Sequence, residues 1–328
     1  MPKSYYPTLF EQSDRDSWKD HLDKRGFVVI KDILNHSSVE TSLNQFKSDW
    51  KTVAPDFSFT DVETWKVKNT PIMWSKGMCV FSGLPQSDFM WGLRLNSNIQ
   101  TVFKHVYDTN ELVCSLDGMS VFLDTTHKSK SWLHVDQNPK NTIYSIQGAI
   151  NMLPVKSNKD AGFILVPDSH NTYKPVVNHK KDWIVCDDQE AVIKTAKKLI
   201  LPANCLTLWD SRLIHANDGN KYSKQEYSTI LEEKGSTSGL HDTKYLNRLT
   251  AYLTYQPKSS RSDAMLEKRK QCYLDGKGTS HWANKCEIKT YPYGFKTNYL
   301  NRNIKQIDPT VIVDGDISTI PPDRLGLL

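Results

Sequence analysis

The chain has 328 residues, 38% of them hydrophobic and 24% charged, which is enough apolar material for a sizeable core. The net charge of +5 is spread over short mixed clusters such as Lys180-Lys181 and Lys268-Arg269-Lys270, which read as solvated surface and not as a nucleic-acid patch. The amino terminus has no apolar signal core, no stretch reaches about 18 apolar residues, and none of the six cysteines forms a Cys-x-x-Cys pair, so no membrane span or disulfide framework is expected, and a cytoplasmic protein with free thiols is.

A helix is predicted over 14–25, where Trp18, His21 and Leu22 keep helical spacing and Gly26 is a stop signal. A strand follows at 26–31. A second helix over 37–53 carries Val39, Leu43, Phe46 and Trp50 on one face. Residues 77–80 read as extended and 86–94 as a contributor to a pocket. A short helix over 98–106 buries Ile99, Val102, Phe103 and Val106.

From residue 112 the period changes to that of strands, expected at 112–123, 131–135, 143–153, 162–166, 199–201, 205–209, 213–216 and 248–256. They are short, rich in Val, Ile, Tyr and Thr, and separated by turn residues. That pattern predicts a mainly β chain with flanking helices (α+β), built on a double-stranded β-helix, or jelly-roll barrel. One domain is expected over 1–328. Residues 1–111 would pack on the barrel, 112–256 would form it, and a polar insertion would occupy 217–247. A carboxy-terminal extension over 257–328 follows, and both it and the insertion read equally as lids beside the pocket or as surface decoration.

The most informative motif is His134-Val135-Asp136. Residues i and i+2 lie on one face of a strand but on nearly opposite sides of a helix, so this pair can converge on a metal. A second triplet, His21-Leu22-Asp23, sits in a predicted helix and cannot. His215 follows in Trp209-Asp-Ser-Arg-Leu-Ile-His215. Two histidines and a carboxylate on a β-scaffold make the facial triad of non-haem Fe(II) oxygenases. Arg248 comes 33 residues after His215 and shares a strand face with Thr250 and Tyr252. A barrel-facing Arg needs a partner, and a bidentate carboxylate such as that of 2-oxoglutarate matches it, with Thr250 adding a hydroxyl; a structural Asp or Glu partner, or an outward-facing Arg, is the alternative. Gln147 and Asn151 share the polar face of a core strand, where either a polar cofactor or neighbouring backbone would satisfy them. Arg212 is a second anchor candidate, but its spacing from His215 points it the other way. His170, in a Pro-Asp-Ser turn, reads as loop stabilisation, and His105, His127, His179 and His241 as surface or turn residues.

These motifs, with Asp160-Ala-Gly-Phe, Val166-Pro-Asp-Ser-His170 and the opening Lys24-Arg-Gly-Phe-Val-Val-Ile-Lys, resemble the phytanoyl-CoA dioxygenase family of Fe(II)/2-oxoglutarate-dependent oxygenases over about residues 15–256. The turn has Asp168 where that family usually has Gly, and the gap from His215 to Arg248 is longer than usual. The resemblance implies a double-stranded β-helix, iron ligands at His134, Asp136 and His215, and a co-substrate anchor at Arg248. It implies Fe(II), 2-oxoglutarate and O2 as cofactors, with ascorbate as a stimulant, but it does not reach the substrate; a small-molecule partner hydroxylated at a C–H bond is expected because no peptide- or nucleic-acid-reading module is visible. Two alternatives stay open: a cupin-like metal enzyme without 2-oxoglutarate, and a non-catalytic barrel. Hydroxylation of a protein side chain or nucleobase is a further variant.

Overall fold

A computed structural model describes residues 2–328, apart from 60, 62–63, 66, 74–76, 123–131, 176–179, 188–190, 223–225, 227–245, 247 and 290–319. His127, His179 and His241, expected at the surface or in turns, and most of the insertion lie outside the described residues. So do Ser131 and Leu123 at the ends of two expected strands.

Strands β1 (Lys3–Tyr5) and β2 (Leu9–Phe10) precede helix α1 (Arg15–Arg25). Gly26 ends that helix at φ 76°, and a Cβ there would stand 2.3 Å from the His170 ring. Strand β3 (Phe27–Ile30), helix α2 (His36–Val53) and strand β4 (Met78–Cys79) follow. Asn35 caps α2 through a bond from the Ser38 N–H. Helices α3 (Asp88–Arg94) and α4 (Ser97–Tyr107) complete the amino-terminal region.

The barrel strands are β5 (Leu112–Cys114), β6 (Met119–Phe122), β7 (His134–Val135), β8 (Ile146–Asn151), β9 (Gly162–Leu165), β10 (Ile184–Val185), β11 (Lys197–Leu199), β12 (Cys205–Asp210), β13 (His215–Asp218) and β14 (Arg248–Pro257). A helical turn α5 (Ser169–Thr172) lies between β9 and β10. Helices α6 (Asp263–Leu274) and α7 (Pro322–Leu327) follow β14. No helix among the described residues is long and apolar enough to cross a membrane.

One sheet runs β1-β11-β9-β13-β7-β10. The other runs β2-β3-β12-β8-β14-β6-β4, with β5 joining at β14. From β6 to β9, and again from β12 to β14, the chain alternates between the sheets, and each sheet keeps a four-strand core of antiparallel pairs. This is the double-stranded β-helix. Strand β3 shows why such strands read as unbroken apolar runs. Val28 and Ile30 face the helices with Trp18, Phe46 and Trp50, whereas Phe27 and Val29 face the barrel interior with Phe163 and Trp209.

Three expectations change. The run 112–123 is two strands, because β5 pairs β14 at Tyr255–Pro257 while β6 pairs it at Arg248–Ala251. The insertion does not begin at 217, since Asn217 and Asp218 pair with Phe163 and Gly162 as the end of β13. Residues 86–94 do not wall the cavity described below. Phe89, Trp91 and Leu93 are buried in the helix-side core, and Arg94 bonds the Pro85 and Asp117 carbonyls.

Candidate metal centre and its cavity

Strand β7 is short, but its register is decisive: His134 stands directly opposite His215 of β13. Both rings point to the barrel interior, with centroids 4.5 Å apart, while Val135, Ile164 and Ala216 face outward into a separate apolar cluster. Asp136, two residues after His134, returns to the same inner side. Its N–H bonds the Ser211 carbonyl, which holds the chain as it leaves the strand. Asp136 Oδ1 lies 3.5 Å from His134 Nε2, and Oδ2 lies 3.2 Å from His215 Nε2. One ligand atom from each of the three residues falls within 4.8 Å of the others.

Hydrogen bonds prepare both imidazoles. His134 Nδ1 is 2.8 Å from the Trp132 carbonyl, and His215 Nδ1 is 2.9 Å from the Leu213 carbonyl. A carbonyl only accepts, so each Nδ1 carries a proton, which leaves each Nε2, on the Asp136 side, as the atom that would take a metal. Trp132 stacks on His134, while Phe163 and Trp209 flank His215. Burial pushes His134 down to about 4, so it is neutral at physiological pH. Burial alone would raise the Asp136 carboxyl, but the imidazoles around it, His134 foremost, reverse this and hold it well below the carboxylate range. Two neutral nitrogens and one anionic oxygen, with further positions facing a cavity, suit a divalent first-row metal such as Fe(II).

Gln147, on β8 of the opposite sheet, donates from Nε2 to Asp136 Oδ2 at 2.9 Å and to Ser211 Oγ at 3.3 Å. It therefore orients the carboxylate. Asn151, on the same strand face, donates from Nδ2 to the Leu153 and Pro202 carbonyls away from the cluster, while its buried Oδ1 has no hydrogen-bond partner among the described residues.

Arg248 enters from β14 and crosses to the other sheet. Its Nε donates to Thr250 Oγ1 at 2.9 Å, and Nη1 to the Gly162 carbonyl and to Asn217 Oδ1. The side chain is 4% exposed. Among the described residues no carboxylate pairs with it, and Nη2 has no hydrogen-bond partner. Asn217 bonds the Tyr252 hydroxyl, and both line the cavity, whereas Arg248 itself does not and reaches it only through its bond to Asn217. Arg212, by contrast, is held by Asp210 at 2.8 and 2.6 Å in the turn before β13.

His21 packs on Phe10 and Phe27, away from the cluster. His170 bonds the Asp23 carbonyl beside Gly26, so it does fasten the turn. Asp168 takes the left-handed φ of 66° that a glycine would adopt more readily, and its carboxylate pairs with Arg25 at 2.8 Å.

The cavity over the cluster measures about 840 Å³ and includes Trp132, Trp183, Trp209 and Trp282 in its wall. Sequence reasoning missed part of that wall. His281 comes from the carboxy-terminal extension, and its Nδ1 lies 4.0 Å from Asp136 Oδ2. The nearby thiols of Cys272 and Cys286 are free and donate to the Lys277 and Lys268 carbonyls. No local signal links His281 to the barrel, because the contact joins segments far apart in the sequence.

No family model matches the chain. A relative, Ava biosynthesis cluster protein O of Aspergillus versicolor, is 22% identical over 252 residues, which cover 69% of this chain and 81% of the relative. The chain is similar to a solved structure of the epimerase SnoN in complex with Fe3+, alpha ketoglutarate and nogalamycin RO, with TM-score 0.49 and 16% identity over 75% of this chain and 85% of that one. It is similar as well to HygX from Streptomyces hygroscopicus with nickel and 2-oxoglutarate bound, with TM-score 0.46 and 15% identity over 74% of this chain and 86% of that one. The fold assignment rests on the strand order described above.

Proposed function

We propose that this protein is a non-haem Fe(II)/2-oxoglutarate-dependent dioxygenase that oxidises, by hydroxylation, a C–H bond of a small molecule. The observation that carries this reading is the pairing of a buried His134–Asp136–His215 cluster with a buried arginine that lacks a carboxylate. A buried guanidinium with no carboxylate in direct contact, and only the Asp218 charge further off, is costly in a protein interior, and a dicarboxylate co-substrate would relieve that cost. In this reading His134, Asp136 and His215 hold the metal, and Gln147 keeps the Asp136 carboxylate turned toward it. Arg248 Nη2, steadied by Thr250 and Asn217, receives the distal carboxylate of 2-oxoglutarate. When bound, iron and 2-oxoglutarate supply the oxidising power for O2 chemistry, with succinate and CO2 as co-products. Trp132, Phe163 and Trp209 close apolar walls around the histidines and keep bulk water from the reacting positions. Ascorbate would serve to keep the iron reduced.

The test is anaerobic addition of Fe(II) and 2-oxoglutarate to the purified protein, followed by aerobic succinate measurement. A visible charge-transfer band and slow succinate release are expected. Asp136→Ala should lose metal binding and both signals. Metal binding without the band would favour a cupin-like enzyme that does not use 2-oxoglutarate, and no metal binding would leave a non-catalytic barrel.

A further inference from the structure

The cavity's size, its aromatic wall and the charge at its mouth all bear on what it takes. A ten-heavy-atom co-substrate occupies roughly 200 Å³ at ordinary packing density. The cavity is about 840 Å³, so most of it is left for a larger molecule. Trp183 lines it with 52% of its surface exposed, and its ring lies 5.8 Å from that of His134. A half-exposed indole this close to the cluster offers a flat apolar face to a ligand.

Charge is distributed unevenly around the opening. Lys285 pairs with Asp182 at 3.3 Å and with Glu287 at 3.5 Å, and Asp182 also accepts from the Asn138 N–H and the Asn141 amide. Deeper in, Asp136 is held among imidazoles, and Asp117 accepts the Gly118 N–H, with burial raising its carboxyl against the lowering effect of Lys289 and Arg94. At the opening, Asp182 and Glu287 are thus paired with Lys285. Lys180 and Lys181 are exposed beside Trp183 and have no counter-ion among the described residues. Inside, the buried His281 Nε2 has no hydrogen-bond partner among the described residues, which leaves one polar contact open to a bound molecule.

From these features we infer that the substrate is a large anionic molecule with a flat aromatic or conjugated body. The body stacks on Trp183 and Trp132, the anionic group sits at Lys180 and Lys181, and an inner polar atom bonds His281. This inference rests on the cavity being the substrate site of the function proposed above.

The test titrates the metal-free full-length protein with 1-pyrenesulfonate, followed by tryptophan quenching and by calorimetry. It is repeated with (1-pyrenyl)methylammonium, which has the same ring and the opposite charge, and with decyl sulfate, an anion without a ring. The pyrene anion is expected to bind about tenfold tighter than either control at low salt. The double variant Lys180→Glu/Lys181→Glu should remove or invert the charge preference, and Trp183→Ala should weaken the pyrene anion by about five- to tenfold. All three substitutions are on the surface and leave the core intact. Equal or tighter binding of the cation, no binding at about 1 mM, or variants that bind like the wild type would overturn the inference. Neither iron nor 2-oxoglutarate is present in this titration. Its failure would leave the oxygenase reading standing, and loss of the charge-transfer band would leave this result standing.

Discussion

Arg269 and Arg248 are both buried guanidiniums, and the protein treats them differently. Arg269, on α6, donates from all three nitrogens to backbone oxygens: Nε to Leu328, Nη1 to Lys285 and Nη2 to Cys114. It ties the carboxy-terminal elements to β5. Arg248 has one backbone acceptor and two side-chain acceptors, and Nη2 is left without a partner among the described residues. Burial alone does not separate a structural cation from a binding one. What separates them is whether every donor has been used by the fold.

That contrast can be broken most severely at Arg269. Arg269→Met leaves three buried oxygens without donors and should cost about 3–5 kcal/mol, read as the shift in a urea unfolding midpoint. The same substitution at Arg248 should cost less stability and act on the ligand. Its 2-oxoglutarate affinity should fall on the order of 100-fold, about 3 kcal/mol, with Fe(II) affinity little changed in calorimetry. Arg248→Lys should recover only part of that, since a point charge cannot present the fork. A large loss of folding stability at Arg248 with unchanged 2-oxoglutarate binding would reverse the two roles.

His134 resolves burial in a third way, by being neutral. Its folded value is about 4, below the roughly 6.5 of an unfolded chain, so the unfolded state binds more protons between those limits. Stability of the metal-free protein is therefore complete above about pH 6.5 and is lost as pH falls toward about 4. Between pH 7 and 5 the loss from this group is about 2 kcal/mol, and His281, also lowered by burial, adds in the same direction. Urea melts across that window check it, with a shallower slope expected for His134→Gln.

The smallest effect lies beside Arg269. A hydrogen bond from Cys272 and the nearby Arg269 charge bring the Cys286 thiol down to about 7. Cys286 is half-buried and the other five cysteines are buried. Iodoacetamide should label Cys286 first, with a rate that rises with pH and levels off above about 7, and Arg269→Met should move that inflection upward.

Much of this was legible in the sequence. Helices α1, α2 and α4 follow from apolar spacing and caps that are local. The inner and outer faces of β8 follow from strict alternation. His134 and Asp136 could be paired because a strand places i and i+2 together, and His21 could be set aside because a helix does not. The split between β5 and β6 was not legible, because both halves are apolar and only their different partners on β14 divide them. Nor was Asn217, whose polar neighbours resemble a loop until Phe163 pairs with it across the sheet.

The sequence by itself determined the periods, the candidate metal-binding triplet and the strand face of Arg248, because those depend on neighbours a few residues apart. Only the tertiary structure decided that His134 lies opposite His215, that Gln147 bonds Asp136, that Arg248 keeps an unused donor, and that His281 reaches the cavity. Those are contacts between distant segments, set by strand register and sheet closure, and no local spacing encodes them.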